Sequence, residues 1–174
     1  HRMARRLNAA LPSLPQAQIV TRIMELVASL HDGHTTLHPA GRTGFDRWFP
    51  IRLFRFTDSL AVTAADSAHA YLTGARVVRI GGEAALAVAD RVARLTGADN
   101  EWGARQLTGL LSNAAVMQAL RLSDGRTVEL EVRTRTGASE HVRLEARATT
   151  WGDPGWMQRG EMFGPPGVAL VTSF

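Results

Sequence analysis

The sequence predicts an α+β fold, because helical periodicity comes first in the chain and strand periodicity follows it. An apolar stripe with the 3.6-residue period of a helix runs through residues 16–30. From residue 51 onwards, apolar residues alternate with polar or basic ones, as in a half-buried strand. A second helical stripe at residues 84–95 places a helix among these strands. Helices first, then strands with interspersed helices, are typical of an α+β protein.

The N-terminal region is predicted to be helical. Six apolar side chains form the stripe within residues 16–30: Ile19, Val20, Ile23, Leu26, Val27 and Leu30. Ser13 is a candidate N-cap for this helix, and Pro15 fits its first turn, where no backbone N–H is needed. Gly33 is expected to end the helix in the left-handed conformation. A shorter helix is predicted before it, at residues 2–11.

Most of the strands are predicted to lie in antiparallel pairs. Residues 51–56 and 60–64 form the first pair, and residues 76–80 form a third strand that ends at two glycines. The clearest pair lies at residues 128–133 and 142–145. One face of this pair is apolar, and the other carries opposite charges that can pair across the strands.

Two further helices and a last strand complete the predicted order. A helix capped by Asp99 or Asn100 is expected after the 84–95 helix, and Asn113 can cap a short helix at residues 114–120. An irregular connection rich in Gly and Pro then leads to a final strand at residues 168–171.

The composition excludes several kinds of chemistry. The chain has 174 residues, of which 45% are hydrophobic and 21% charged, and this balance is typical of a soluble globular protein. Cysteine is absent, which excludes disulfides, thiolate nucleophiles and zinc fingers. All 20 basic residues are arginine, so a phosphate-loop lysine, a Schiff-base lysine and a Ser/Lys dyad are excluded within the chain. No apolar run approaches the roughly 20 residues of a membrane-spanning helix, and no signal-peptide pattern opens the chain.

The basic character does not by itself predict nucleic-acid binding. The pI of about 11.1 is high because almost nothing titrates between histidine and arginine, so a net charge of only +4 persists to high pH. The arginines are scattered and often lie beside Asp or Glu, as in residues 129–133. We therefore expect a solvated surface of mixed charge and no nucleic-acid partner, with binding through arginine as the weaker alternative.

Three of the six histidines lie close together, at His31, His34 and His38. Their spacing would need one continuous helix to face a single metal ion, and Gly33 is expected to break that helix, so we predict no metal site and no cofactor. One interpretation is a simple helix terminus, with His31 near the negative end of the helix dipole. The other makes His34, beside the hydroxyl of Thr35, a general base that accepts a proton from a serine. No Gly-x-Ser-x-Gly nucleophile motif accompanies it.

A short motif and the pattern after it match a known family when taken together. Residues 30–35 read Leu-His-Asp-Gly-His-Thr and end the long helical pattern. Residues 49–53, 72–82 and 84–95 are similar to the carboxylate loop, the glycine-bounded strand and the peptide-flanking helix of a PDZ-like module. Over about residues 16–146 the chain thus resembles the tail-specific, or C-terminal-processing, peptidases, and more closely their tricorn-like branch.

The resemblance implies a division of the chain and a role for His34. Residues 1–45 would be a helical segment, residues 46–148 a PDZ-like small β-barrel or sandwich with flanking helices, and residues 149–174 a linker and the first strand of a catalytic core that this chain lacks. In tricorn-like members the histidine that matches His34 is the catalytic base for a serine of the core. The family pattern has a serine just before this histidine, where Gly33 stands here. In members with a Ser/Lys dyad, His34 would be structural.

The resemblance also implies a peptide-binding groove. PDZ-like modules bind an extended C-terminal peptide as an added strand, and loop N–H groups hold its carboxylate. The matching loop is Phe49, Pro50, Ile51 and Arg52, with Leu86 on the opposite wall. Pro50 removes one N–H from the loop, and the charge of Arg52 can compensate. Alternatively, Ile51, Leu53 and Leu86 are ordinary core residues and the module is a spacer.

Two functions are consistent with the sequence. The first is the N-terminal part of a serine peptidase, inactive alone, whose module positions peptide tails. The alternative is a stand-alone peptide-binding module without hydrolase activity. The partner in both cases is a peptide or an unfolded protein, and the resemblance implies a periplasmic or other extracytoplasmic location. The first residue is His rather than Met, so we expect the chain to begin inside a longer protein.

Overall fold

The computed structural model describes residues 2–39, 42–97 and 107–148. Within these ranges the α-helices are α1 (Arg2–Ala10), α2 (Gln16–Ala28), α3 (Ala85–Ala93) and α4 (Ala114–Ala119). Short 3-10 helices lie at Leu11–Ser13, Ser67–Leu72 and Leu107–Ser112. The strands are β1 (Arg47–Trp48), β2 (Ile51–Arg55), β3 (Leu60–Ala65), β4 (Arg76–Ile80), β5 (Glu83–Ala84), β6 (Thr127–Arg133), β7 (Ser139–Glu145) and β8 (Arg147–Ala148).

The strands form one main sheet and one small sheet. The main sheet has the order β2-β3-β4-β6-β7, and β5 pairs with β4 as a short hairpin. The small sheet consists of β1 and β8. Every pairing between these strands is antiparallel. The α+β class predicted from the sequence is confirmed.

The alternation of β6 and β7 decides which face of the sheet is buried. Val128, Leu130 and Val132 are buried on β6, and Val142 and Leu144 are buried on β7. The charged residues between them lie on the outer face, as the alternation predicts. The register of the pair fixes both faces at once, because a shift by one residue would expose every apolar side chain.

A single hydrophobic cluster joins the helices to the sheet. Helix α3 packs against β3 and β4, and α2 packs against α4. Met24 of α2 and Phe45 are almost fully buried in the same cluster as Leu60 and Ile80 of the sheet. Helix α1, by contrast, has no buried residue. The core therefore extends from α2 to β7, and α1 lies outside it.

Asn113 confirms the predicted cap of the helix that follows it. Its side-chain oxygen accepts hydrogen bonds from the N–H groups of Ala115 and Val116, at 3.1 and 3.2 Å. The side chain is completely buried and also donates to the carbonyl of Phe45 at 2.9 Å. One residue thus caps α4 and ties it to the segment before β1.

The start of α2 differs from the prediction. Pro15 itself occupies the N-cap position, and its carbonyl accepts from the N–H of Ile19 at 3.0 Å. Ser13 does not cap this helix, because it belongs to the preceding 3-10 turn and donates its hydroxyl to the carbonyl of Ala10.

The end of α2 also differs from the prediction. The helix ends at Ala28, and the left-handed residue is His31, with φ of 54°, rather than Gly33. The N–H of His31 donates to the carbonyl of Ala28 at 3.0 Å, so the chain reverses before it reaches the glycine. Histidine is among the residues that tolerate this conformation better than most.

Some predictions lie outside the described residues. These are the cap at Asp99 or Asn100 and the final strand at residues 168–171. Within the described part, none of the helices has the length and apolar character needed to cross a bilayer.

Candidate functional site

His34 lies on a tight turn that follows α2. The carbonyl of Asp32 accepts from the N–H of Thr35 at 3.2 Å, which closes the turn. The carboxylate of Asp32 accepts two more hydrogen bonds, from the N–H of His34 at 2.9 Å and from the hydroxyl of Thr35. A carboxylate that accepts from the backbone N–H two residues later is the usual way in which Asp fixes such a turn.

These hydrogen bonds also set the charge of the turn. The hydroxyl of Thr35 is the main reason why the pKa of Asp32 is lowered from its ordinary value of 3.8, and the N–H of His34 is the second. Both donors favour the ionised carboxylate. Asp32 therefore carries a negative charge next to His34 at neutral pH.

Gly97 packs directly against the backbone of the turn. This glycine follows α3 and is buried, and a Cβ atom built on it would overlap with the carbonyl oxygen of Asp32. The same Cβ would lie only 3.2 Å from the carbonyl oxygen of Thr35. The backbones of residues 32–35 and 97 are therefore in direct contact, and only glycine fits between them. Since Leu37 packs against the core, the segment after the turn is anchored as well.

His34 itself is exposed. Within the described part of the chain, its ring makes no hydrogen bond. The arrangement is a hydrogen-bonded turn, packed against Gly97, that presents an exposed imidazole. Chemically, such a group can accept or donate a proton if a partner is brought to it.

The neighbouring histidines do not form a metal centre with His34. Since α2 ends at Ala28, His31 and His34 do not share a helical face. Among residues 2–39, 42–97 and 107–148, no group of three or more His, Asp or Glu side chains could hold a metal ion.

The predicted carboxylate loop is tightly packed. Phe49, Pro50 and Ile51 are buried, and the first and last of them belong to the hydrophobic cluster. The N–H of Phe49 donates to the carbonyl of Ser112 at 2.7 Å, and the N–H of Ile51 donates to the carbonyl of Phe49 at 2.8 Å. These N–H groups are therefore already occupied in this conformation. Peptide binding at this loop remains a prediction.

The outer edge of β2 is occupied by the 3-10 helix Leu107–Ser112. The hydroxyl of Thr108 donates to the carbonyl of Leu53 at 3.3 Å and accepts from the N–H of Arg55 at 3.2 Å. It thus takes the place that an added peptide strand would take on this edge. Thr108 is almost fully buried, so the contact is part of the fold.

The other two predicted peptide-binding residues differ in their surroundings. Arg52 is exposed on β2, whereas Leu86 is partly buried and packs against the hydrophobic cluster from the start of α3. Leu86 thus does have a core role, and Arg52 is available to a ligand.

Sequence reasoning missed the support that Gly97 and Thr108 give. Gly97 contacts a turn more than 60 residues away, and Thr108 contacts a strand more than 50 residues away, so no local pattern reveals either contact. The Asp-x-x-Thr spacing at residues 32–35 is a local signal that could have identified the fixed turn.

No protein-family profile and no curated protein match the chain. Solved structures of CPAF do match its fold: mature CPAF (TM-score 0.56, 12% identity), mature CPAF complexed with lactacystin (0.51, 14%) and a serine-to-alanine mutant of CPAF (0.52, 18%). The matches cover 84% to 87% of this chain, which spans only 28% to 29% of the CPAF chains. CPAF is a serine protease with a PDZ-like fold. Over most of its length, this chain therefore has an α+β fold similar to part of the CPAF fold, consistent with a PDZ-like module plus helices.

Proposed function

We propose that this chain is the N-terminal part of a serine peptidase of the tail-specific type, tricorn-like branch, in which His34 is the general base. The main evidence is the exposed imidazole on a turn that Asp32 and Gly97 fix from two sides. A general base needs both features, since its position must be constant and its ring must be open to the nucleophile. The likeness to part of CPAF supports the same proposal.

In this proposal the nucleophile is a serine of a core domain outside the described residues. The serine hydroxyl gives its proton to a neutral ring nitrogen of His34 while its oxygen attacks the carbonyl carbon of the peptide. The imidazolium then returns the proton to the leaving amine, and water hydrolyses the acyl-enzyme by the reverse sequence. The ionised carboxylate of Asp32 interacts electrostatically with His34 and so favours the imidazolium that forms.

The test is a comparison of variants of the longer protein on a disordered peptide. We expect His34→Ala to lower kcat by about 100-fold or more, because the serine loses its base. His38→Ala is the matched control, since His38 is an exposed histidine of the same segment, and we expect it to retain the wild-type rate. Equal rates for wild type and His34→Ala would exclude the catalytic role.

The PDZ-like module would admit or position peptide tails at Phe49, Pro50, Ile51, Arg52 and Leu86. Because Thr108 and Ser112 bond the β2 edge and the loop, an incoming tail must displace the 3-10 helix Leu107–Ser112. Tail binding should therefore be weak in the resting protein and should depend on this displacement.

The alternative function is a stand-alone peptide-binding module, and exposed Arg52 is the residue that favours it. The measurement is binding of an extended peptide with a free or an amidated C-terminus, in wild type and in Arg52→Gln. A PDZ-type mode predicts that amidation weakens binding and that the difference shrinks in the variant. Equal binding of the two peptides to wild type would exclude this mode.

A further inference from the structure

We propose that one end of the outer face of the main sheet binds an acidic, extended protein segment. This surface, the arginine face, consists of Arg52, Arg76, Arg133 and Arg135. All four side chains are exposed. The proposal does not depend on His34 or on hydrolysis.

The register of the sheet brings two of these arginines together. Arg76 of β4 is the direct partner of Arg133 in β6. The Cβ atoms of such partners lie about 4.5–5.5 Å apart on the same face, and like charges at this distance are destabilising. The two positive charges therefore repel each other in the free protein, and a bound anion would offset this repulsion.

Arg135 and Arg52 extend the same charged surface. A Cβ atom built on Gly74 would lie 2.9 Å from Cδ of Arg135, so the Arg135 side chain lies over a glycine two residues before Arg76. On the other side, Ala61 of β3 is the partner of Arg76 and Phe54 of β2 is the partner of Ala61, and Arg52 lies two residues before Phe54 on β2.

No described carboxylate forms an ion pair with the arginine face. Within the described ranges, no carboxylate lies within 4 Å of its four guanidinium groups, and Arg76 donates instead to the carbonyl of Asp58 at 2.8 Å. Other arginines do pair with a carboxylate: Arg55 with Asp90, Arg79 with Glu131, Arg91 with Glu83, and Arg147 with Asp66. Other described arginines, such as Arg5 and Arg22, also lack an ion pair, but among the strand pairings of the described residues only Arg76 and Arg133 place two arginines directly opposite each other.

The size and borders of the surface favour a short peptide. Outward side chains recur about every 6.8 Å along a strand, and acidic residues at alternate positions of an extended peptide have the same spacing. The outward residues that follow Arg133 along β6 are Glu131 and Glu129. A long nucleic-acid strand or an anionic membrane would meet these carboxylates, whereas a short acidic segment would not.

The test uses this chain and a fluorescent peptide of about eight residues in which Glu and Ser alternate. We expect fluorescence anisotropy to show binding that weakens when salt rises from about 0.05 M to about 0.5 M. A peptide with Gln in place of Glu should bind at least about tenfold more weakly, because it lacks the charges that the arginines recognise.

The matched variants separate a local site from net charge. Arg133→Gln with Arg135→Gln should weaken binding about tenfold or more, whereas Arg5→Gln with Arg22→Gln, on exposed helix positions, should leave it unchanged within about twofold. The first double variant should have the same unfolding midpoint as wild type or a higher one, since it removes like-charge repulsion. Arg135 lies outside β6, so the single variant Arg135→Gln tests peptide binding again without a change in a strand.

Four outcomes would overturn the proposal. The first is an equal loss of peptide affinity in both double variants, and the second is equal binding of the Glu and Gln peptides. The third is an oligothymidine that binds more tightly than the peptide and no longer binds to the first double variant. The fourth is binding of anionic vesicles that the first double variant also abolishes. The last two would assign the surface to nucleic acid or to a membrane.

Discussion

At the scale of single residues, the candidate site depends on the carboxylate of Asp32. Because hydrogen bonds from Thr35 and His34 favour its charged form, its pKa is below the ordinary value of 3.8. A lowered pKa in the folded state stabilises the turn at any pH above the unfolded-state pKa, and this contribution is lost as the pH falls through the folded-state value. We expect the turn to stay intact from neutral pH down to about pH 4 and to loosen below it.

This expectation can be measured by NMR titration of the side-chain carboxyl carbons. Thr35→Val removes the largest cause of the shift and should raise the pKa of Asp32 towards 3.8. Asp124 is an internal control, because its pKa is lowered in the same manner by the N–H groups of Thr127 and Arg126. If the pKa of Asp32 is the same in the variant as in wild type, the hydroxyl of Thr35 does not hold the turn.

At the scale of elements, the β4–β5 hairpin offers a matched pair of glycines. Gly81 and Gly82 both have positive φ, at 55° and 82°. A Cβ on Gly81 would overlap with the carbonyl oxygen of Leu122, whereas a Cβ on Gly82 would meet nothing within 4 Å. Gly82→Ala should therefore cost about 1–2 kcal/mol of unfolding free energy from the left-handed backbone alone. Gly81→Ala should cost about 2–5 kcal/mol, because overpacking adds to the same strain.

Chemical denaturation of the two variants measures this difference directly. Since the backbone penalty is nearly the same, the excess in Gly81→Ala reports the contact between the hairpin and Leu122. Equal losses of unfolding free energy would mean that the residues around Leu122 move aside without cost.

The elements that sequence reasoning predicted well are those with local signals. Asn113 caps α4 because cap and helix are adjacent in the chain, and the alternation of β6 and β7 is visible within seven residues. The end of α2 was mispredicted at Gly33, because a local rule assigns the left-handed position to glycine and the hydrogen bonds place it at His31. The occupation of the β2 edge by Thr108 depends on a contact between distant residues, which no periodicity encodes.

The candidate site shows the same distinction between local sequence signals and contacts of residues that are distant in the chain. His34 could be selected from the sequence because it lies in a recognisable motif. The packing of Gly97 under the turn requires α3 and α2 to be docked on one core, and docking is a property of the whole fold. Local pattern thus identified the chemical group, and only the structure shows what holds it in position.

At the scale of the whole molecule, the question is which residues unfold together. The family resemblance predicts a boundary between residues 45 and 46, between a helical segment and a PDZ-like domain. In the structure, Met24 and Phe45 are almost fully buried in the cluster that also contains the sheet, and the amide of Asn113 donates to the carbonyl of Phe45. Burial of two such side chains contributes about 2–5 kcal/mol each, which is a large part of the 5–15 kcal/mol of a typical domain.

Two N-terminal truncations test this division. A chain that starts at Leu14 lacks α1 and the 3-10 turn, neither of which has a buried residue, so its unfolding free energy should fall by less than about 1 kcal/mol. A chain that starts at Asp46 lacks Met24 and Phe45 and leaves the Asn113 amide without its acceptor, so it should lose cooperative unfolding. Urea denaturation followed by circular dichroism distinguishes the two. If the shorter chain unfolds cooperatively at the wild-type midpoint, the PDZ-like domain folds alone, and α2 with its His34 turn is a separate attachment.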